Sequence, residues 1–237
     1  MSNQKTPGSV WGEKHYNVET PHDYDTEPAP FVRASIDFLK GRKVEKILDG
    51  GCGQGRNLLY LLQNGFEAVG VDASDNALDV CRKLLKENGF KDAKTIQGEL
   101  QNLKDLKDNS FDAIISVTVL THIFDPYHVL KEFHRILKPG GVVIADFGTI
   151  KDSTYDEVAK GKVRLGKHLY LEKGTNVKYV ESEEEVRVLF WDFKVLEIEE
   201  ISFMEKGHPG SRPKPHEHTS FLVTAEKRRK GKKSYIL

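Results

Sequence analysis

Apolar residues recur along this chain in two alternating rhythms. Short, nearly continuous apolar runs are followed by stretches in which they return every three or four positions. The runs read as buried strands and the spaced stretches as amphipathic helices. Phe31, Ala34, Ser35, Phe38 and Leu39 predict a helix from Pro30 to Leu39, ended by Gly41. Val44 to Asp49 is a first strand, and Arg56 to Gln63 is a helix stopped by Gly65. Phe66 to Asp72 is a second strand. Ser74 is placed to cap a helix from Asn76 to Glu87, closed by Gly89. Ala93 to Gln97 and Phe111 to Val117 give strands three and four. Asp125-Pro126 opens a helix whose apolar stripe is Val129, Leu130, Phe133, Ile136 and Leu137. The pattern breaks at Lys138-Pro139-Gly140-Gly141 and resumes as a fifth strand, Val142 to Phe147.

Strands separated by helices need crossover connections, which implies an α/β, doubly wound, mostly parallel sheet. Beyond residue 150 the rhythm loosens. Residues 151 to 175 hold few apolar groups and several glycines, so a cap-like insertion is expected over about 148–180. A helix from Glu183 to Phe190 with Ser182 as its cap comes next. Two alternating strands follow, Phe193 to Phe203 and Thr219 to Ala225, with a segment rich in Pro, Gly and His between them. With no helix between them, these two strands should form an antiparallel pair at the end of the sheet. The expected division is an N-terminal arm or lid (1–30), one domain (31–226) and a basic tail (227–237).

Composition narrows the classes without choosing one. The 237 residues suit a single α/β domain with additions. The 36 basic and 36 acidic residues cancel, so no global field argues for a nucleic-acid partner. Cys52 and Cys81 lie in a glycine turn and on an expected helix. That placement suits a reducing compartment better than a disulfide framework. No apolar run is long enough for a membrane helix, and Met1 to Pro7 lacks a signal-peptide core. A cytosolic, soluble protein is the expectation.

The chemistry concentrates at Asp49-Gly50-Gly51-Cys52-Gly53-Gln54-Gly55-Arg56-Asn57. A strand ending in an acid breaks into a glycine turn that opens a helix, an arrangement that holds a small, partly anionic ligand against helix-end amides. A dinucleotide fold wants G-x-G-x-x-G, with its third glycine inside the helix beside a pyrophosphate. Here Gly51, Gly53 and Gly55 are spaced two apart, and Asp49 can meet a cation. Asp72, ending the second strand, is placed to accept ribose hydroxyls, its alternative role being a helix cap. Glu99, after the third strand, is placed for the amino edge of an adenine or for solvent.

Taken in order, these motifs resemble those of class I S-adenosylmethionine-dependent methyltransferases. The glycine run resembles the family's D/E-x-G-x-G-x-G motif and is particularly like small-molecule and tellurite-resistance-type members. Val71-Asp72 resembles the second motif and Gly98-Glu99 the acidic third. Phe111-Asp112-Ala113-Ile114 and Leu137-Lys138-Pro139-Gly140-Gly141 resemble the signatures around strands four and five. Gly50 stands where the family more often has Val, Ile or Leu, and Glu99 where Asp is more usual. The resemblance implies a Rossmann-like seven-stranded sheet and S-adenosyl-L-methionine as cofactor. It carries cofactor contact to Asp49 (at the amino group), Gly51, Cys52, Gly53, Gly55 and Asn57. It adds Asp72, Ala73, Glu99 and Leu100, Val117 flanking the methyl centre, and Tyr16 in the arm.

The implied reaction is methyl transfer to a small-molecule acceptor by in-line displacement. His122, just past the fourth strand, is the candidate general base; its alternative is a turn histidine bonded to backbone. His134 reads as structural or solvated. His216 and His218 alternate before the last strand and can point the same way, but too few ligands surround them to expect a metal site. Tyr16, Phe147 and Tyr170 are candidates to line an acceptor pocket or to pack. The tail Lys227-Arg228-Arg229-Lys230-Gly231-Lys232-Lys233 reads as solvated, or as a recruiting patch for nucleic acid. The rival readings are an RNA or protein methyltransferase, a nicotinamide oxidoreductase, and a non-catalytic cofactor-binding module.

Overall fold

The computed structural model describes residues 27–161, 163–172, 175–205 and 215–229. The expected arm, Tyr16 and the end of the basic tail lie outside these residues. In chain order the strands are β1 (Lys46–Gly50), β2 (Glu67–Asp72), β3 (Lys94–Gln97), β4 (Phe111–Ser116) and β5 (Leu137–Gly148). They continue as β6 (Val163–Gly166), β7 (Leu169–Glu172), β8 (Thr175–Lys178), β9 (Phe193–Glu205) and β10 (His216–Lys227). The main sheet has seven strands in the order β3-β2-β1-β4-β5-β10-β9. β1 to β5 pair in parallel, and β10 runs antiparallel to both β5 and β9. From β1 the chain moves outward to β2 and β3, then crosses back to β4 on the other side. The crevice at the carboxyl ends of β1 and β4 is therefore the switch point, where doubly wound sheets bind ligands.

The helices are α1 (Pro30–Ala34), α2 (Ile36–Gly41), α3 (Arg56–Gln63), α4 (Asp75–Glu87), α5 (Pro126–Ile136), α6 (Tyr155–Gly161) and α7 (Glu183–Leu189). Successive strand residues point to opposite faces, so two apolar layers form. On one face Ile47, Ala68, Ala113, Ile115 and Ile144 meet Ile36 and Leu39 of α2, Leu58 and Leu61 of α3, and Leu85 of α4. On the other, Leu48, Val71, Ile114, Val143 and Ala145 meet Leu130 and Phe133 of α5, Val186 of α7 and Phe190 just after it. Local signals set the boundaries. The Ser74 hydroxyl accepts from the Ala77 amide at 3.2 Å, and the Asp125 carboxylate accepts from the His128 amide at 3.3 Å. Both satisfy donors that the helix itself leaves open.

Several expectations need correction. The single helix over 30–39 is two, α1 and α2, because Ser35 interrupts it. The Lys138-Pro139-Gly140-Gly141 break falls inside β5, which already begins at Leu137, with a register shift against β4 between Phe111 and Ala113. The segment expected as a cap loop instead forms α6 and a second, antiparallel sheet in the order β6-β7-β8. Val158, Tyr170, Val177 and Tyr179 give it a small core of its own. Lys227 belongs to β10 rather than to a solvated tail: its Nζ donates to the Leu137 carbonyl at 2.7 Å.

Candidate cofactor and acceptor site

The glycine turn leaves β1 with a fixed backbone. The amides of Gly51 and Cys52 both donate to the Val71 carbonyl, at 2.8 and 3.0 Å, and the Gly55 amide donates to Cys52. Two glycines are obligatory here. Gly51 has φ +82°, and a Cβ there would overlap the Val119 side chain. Gly55 has φ +91° at the start of α3, and a Cβ there would lie 2.5 Å from Cys81 Sγ. The turn is thus bare on the side facing the segment after β4 and closely packed beneath. Its own amides are mostly spent internally, so the donors left for a ligand are the first-turn amides of α3.

Three acidic groups surround this turn. Asp49 ends β1 almost wholly buried, and neither of its carboxylate oxygens has a hydrogen-bond partner. Burial and the nearby Asp72 charge push it up to about 7, offset only in part by Arg56 and the Leu58 amide. Asp72 behaves differently. Its Oδ2 accepts from the Gly53 amide and its Oδ1 from the Ser74 amide, both at 2.9 Å. Burial raises its carboxyl despite those two donors. Asp72 therefore fastens the turn to the start of α4, with one lone pair per oxygen still to offer. Glu99, beyond β3, has a buried Oε1 with no partner. So does Gln101, a position the sequence did not single out.

The other expected contacts fall into two groups. Ala73 lies between Asp72 and the Ser74 cap, and the buried Leu100 reaches the Gly50 side of the turn. Val117 is buried directly after β4. Cys52 and Asn57 instead face inward. The Cys81 thiol beside it and burial push the Cys52 thiol up. Asn57 Oδ1 accepts from the Ala29 amide at 2.9 Å, tying the start of α1 to α3.

The segment after β4 closes over the crevice and reaches β5. Val119 covers Gly51, while the Thr118 amide donates to Asp146 Oδ1 at 2.6 Å and Thr121 Oγ1 accepts from the Gly148 amide at 2.9 Å. Thr118 adopts φ +56°, a left-handed backbone unusual for a β-branched residue and costing on the order of 1–3 kcal/mol. His122 ends the single 3₁₀ turn Leu120–His122, half-buried at this same edge. Past β5, Asp152 pairs with His218 of β10, Nδ1 to Oδ2 at 2.8 Å. The His216 ring stands edge-on to His218, with centroids 4.7 Å apart. Of the remaining candidates, Phe147 packs in the core against Phe190, and Tyr170 belongs to the small sheet's core. His134 lies edge-on to Phe193.

An adenosyl sulfonium amino acid fits these groups. Asp49 offers an unpartnered buried carboxylate to an ammonium, α3 offers amides to a carboxylate, Asp72 has acceptors for hydroxyls, and Glu99 and Gln101 have unused acceptors for an exocyclic amine.

Comparison with known proteins agrees. Residues 48–145 match the profile of the family described as Methyltransferase domain. The chain is 32% identical over 136 residues to the ubiquinone biosynthesis O-methyltransferase of Alkalilimnicola ehrlichii, covering 57% of this chain and 53% of that one. It is 29% identical over 155 residues to a sterol 4-C-methyltransferase of Caenorhabditis elegans, covering 65% and 46%. It thus spans about half the length of these curated relatives. Among solved structures, a SAM-dependent methyltransferase of Methanosarcina mazei superposes with TM-score 0.70 at 19% identity, over 86% of this chain and all of that one. TehB of Haemophilus influenzae gives TM-score 0.59 at 18% identity, over 83% and 62%. At these identities the two structures speak to fold. The matched profile covers residues 48–145, and with the order of motifs it makes this part of the chain similar to class I methyltransferases, whose methyl donor is S-adenosylmethionine.

Proposed function

We propose that this chain moves a methyl group from S-adenosylmethionine to a small-molecule acceptor, the kind of reaction named for its O- and C-methylating relatives. The observation that carries this reading is Asp49, a buried carboxylate with no partner beside a turn built without side chains. In a sheet that buries its polar groups in pairs, such a group is held for a ligand. The donor supplies an electrophilic methyl on a sulfonium, which is displaced in line. What the chain contributes is placement. Asp49 takes the ammonium, the first amides of α3 take the carboxylate, Asp72 takes the ribose hydroxyls, and Glu99, with Gln101, takes the adenine edge. Val117 and Val119 keep the reacting end dry. Such positioning can contribute as much as roughly 7–11 kcal/mol. His122, the α6–β8 segment and the β10 end line the acceptor side. No helix among the described residues is long and apolar enough to cross a membrane. We place the protein in the cytoplasm, as a proposal from its composition and cysteine placement.

Isothermal calorimetry with S-adenosylmethionine, followed by a screen of acceptor pools with methyl-labelled donor, tests the reading. Binding followed by a labelled small-molecule product supports it. Binding without transfer to any pool would leave a cofactor-binding module, and label in RNA or protein would move the acceptor to a macromolecule.

A further inference from the structure

The ladder between β4 and β5 stops short of the crevice. Its last pair is Ser116 with Ala145, and the chain then bends away at Thr118. From there side chains accept the backbone donors that a longer ladder would have paired. The Thr118 amide donates to Asp146 Oδ1 at 2.6 Å, and the Gly148 amide donates to Thr121 Oγ1 at 2.9 Å. A buried N–H without an acceptor is costly, so these two bonds fix how the segment leaves the sheet. Asp146 is well placed for this task. It is almost wholly buried in β5, one residue beyond the last ladder pair, with Leu222 of β10 as its register partner. Burial lifts its carboxyl, and the Thr118 amide and the Ser220 hydroxyl counter that in part.

Thr118 is the strained link in this connection. Its φ of +56° is a conformation that a β-branched side chain opposes, and it persists only where the surroundings hold it. The outcome of that turn is the position of the next residue. Val119 lies where a side chain at Gly51 would be, so that a Cβ there would overlap its Cγ2. Val119 is half-buried and packs partly against the apolar layer that holds Leu48 and Phe133. The glycine turn thus has one apolar wall that comes from another part of the chain. The place of that wall is set by a single hydrogen bond one residue away, while Thr121 fastens the far end of the same segment.

Resting on the methyltransferase reading above, we propose that Asp146 is a positioning residue for the methyl donor. Its carboxylate holds Thr118 in the left-handed turn that lays Val119 on Gly51, and Val119 then bounds the space left for the methionyl end of S-adenosylmethionine. Asp146 acts through these two residues and not by contact with the donor. What it supplies is a hydrogen-bond acceptor at a fixed place in the sheet, so an uncharged acceptor of the same shape can replace it. Gly51 and Val119 then work as a pair: a bare turn on one side, and a wall held at a set distance on the other.

Calorimetric titration of the full chain with S-adenosylmethionine tests the assignment. Asp146→Asn keeps an oxygen for the Thr118 amide and should bind within about threefold of the wild type, whereas Asp146→Leu fills similar space without an acceptor and should bind at least ~tenfold more weakly. Thr118→Gly adopts a positive φ without strain, so adding it to Asp146→Leu should bring the affinity back to within about threefold of the wild type. Val119→Ala, with Asp146 in place, should weaken binding about as much as Asp146→Leu does. Equal losses in Asp146→Asn and Asp146→Leu would make charge the working property and overturn the assignment. So would a loss that Thr118→Gly leaves untouched, which belongs to the pairing of β5 with β10, or an unchanged affinity in Val119→Ala. A second readout needs no cofactor. In NMR of the methyl-labelled chain, the valine signals missing from Val119→Ala should show a nuclear Overhauser contact with the Gly51 α-protons in the wild type and Asp146→Asn. That contact should be lost in Asp146→Leu, and its survival there overturns the proposal. A wild-type chain that does not bind S-adenosylmethionine overturns the methyltransferase reading instead, and the NMR contact still decides whether Asp146 holds Val119 in place.

Discussion

At the scale of single residues, the two aspartates of the glycine turn make opposite predictions. Asp49 is buried without a partner and titrates at about 7 in the folded chain, against an ordinary carboxylate in the unfolded one. The folded state therefore holds a proton that the unfolded state has released, and stability falls as pH rises from about 4 towards 7. Asp49→Asn should remove this penalty. Its thermal midpoint at pH 8 should exceed the wild type's by roughly 5 °C, with the gap closing below about pH 4. The same variant should lose most of its affinity for S-adenosylmethionine, because the ammonium loses its counter-charge. In the wild type that affinity should rise with pH through about 7, with proton release on binding, as calorimetry in buffers of different ionisation heat would show. Asp72 lacks such an isosteric escape. Both its oxygens accept backbone amides, so Asp72→Asn must turn an NH₂ group against an N–H. The asparagine should therefore bind cofactor no better than Asp72→Ala; near-wild-type affinity for Asp72→Asn would show that the clamp is dispensable.

At the scale of elements, agreement between sequence and structure follows how local each signal is. α3 runs from Arg56 to Gln63 as its periodicity predicts, because its start is written in Gly55 and its end in Gly65. α4 begins one residue before expectation, with its Ser74 cap in place. That cap is testable by itself. Ser74→Ala removes the acceptor for the Ala77 amide while leaving the Ser74 amide on Asp72. It should cost about 1 kcal/mol, or ~2–4 °C in thermal midpoint for a chain of this size. A loss of cofactor affinity beyond that would mean the hydroxyl also positions Asp72. What the sequence hid depends on partners distant along the chain. β6 to β8 are short, and their apolar residues are split between the small core and solvent: Val163 and Leu165 are exposed, Tyr170 and Val177 buried. No single period could show through. Asp152 and His218 are 66 residues apart and meet only because β10 lies against β5. The motifs of the proposed cofactor site were readable because one turn and two strand ends carry them. Gln101 and the inward-facing Asn57 were not separable from surface residues by type or spacing.

At the scale of the molecule, the seven-stranded sheet and the small sheet have separate apolar cores, so they can be pulled apart experimentally. Val158, Tyr170, Val177 and Tyr179 pack among themselves, while the two layers of the main sheet are complete without them. Thr154 and Tyr179, at the borders of the segment, touch through their hydroxyls, and the neighbouring Thr149 and Val180 form a parallel bridge. A short Gly/Ser linker can therefore replace residues 155–178 without stretching the chain between them. The excised protein should unfold cooperatively and bind S-adenosylmethionine within about threefold of the full chain, since every group assigned to the cofactor remains. Acceptor turnover should fall by at least ~10²-fold, because the wall on the β5 side of the crevice is gone and water reaches the reacting end. Loss of cofactor binding in a folded variant would show that the small sheet supports the donor pocket. Unchanged turnover would move the acceptor away from it, towards the β4 side of the crevice.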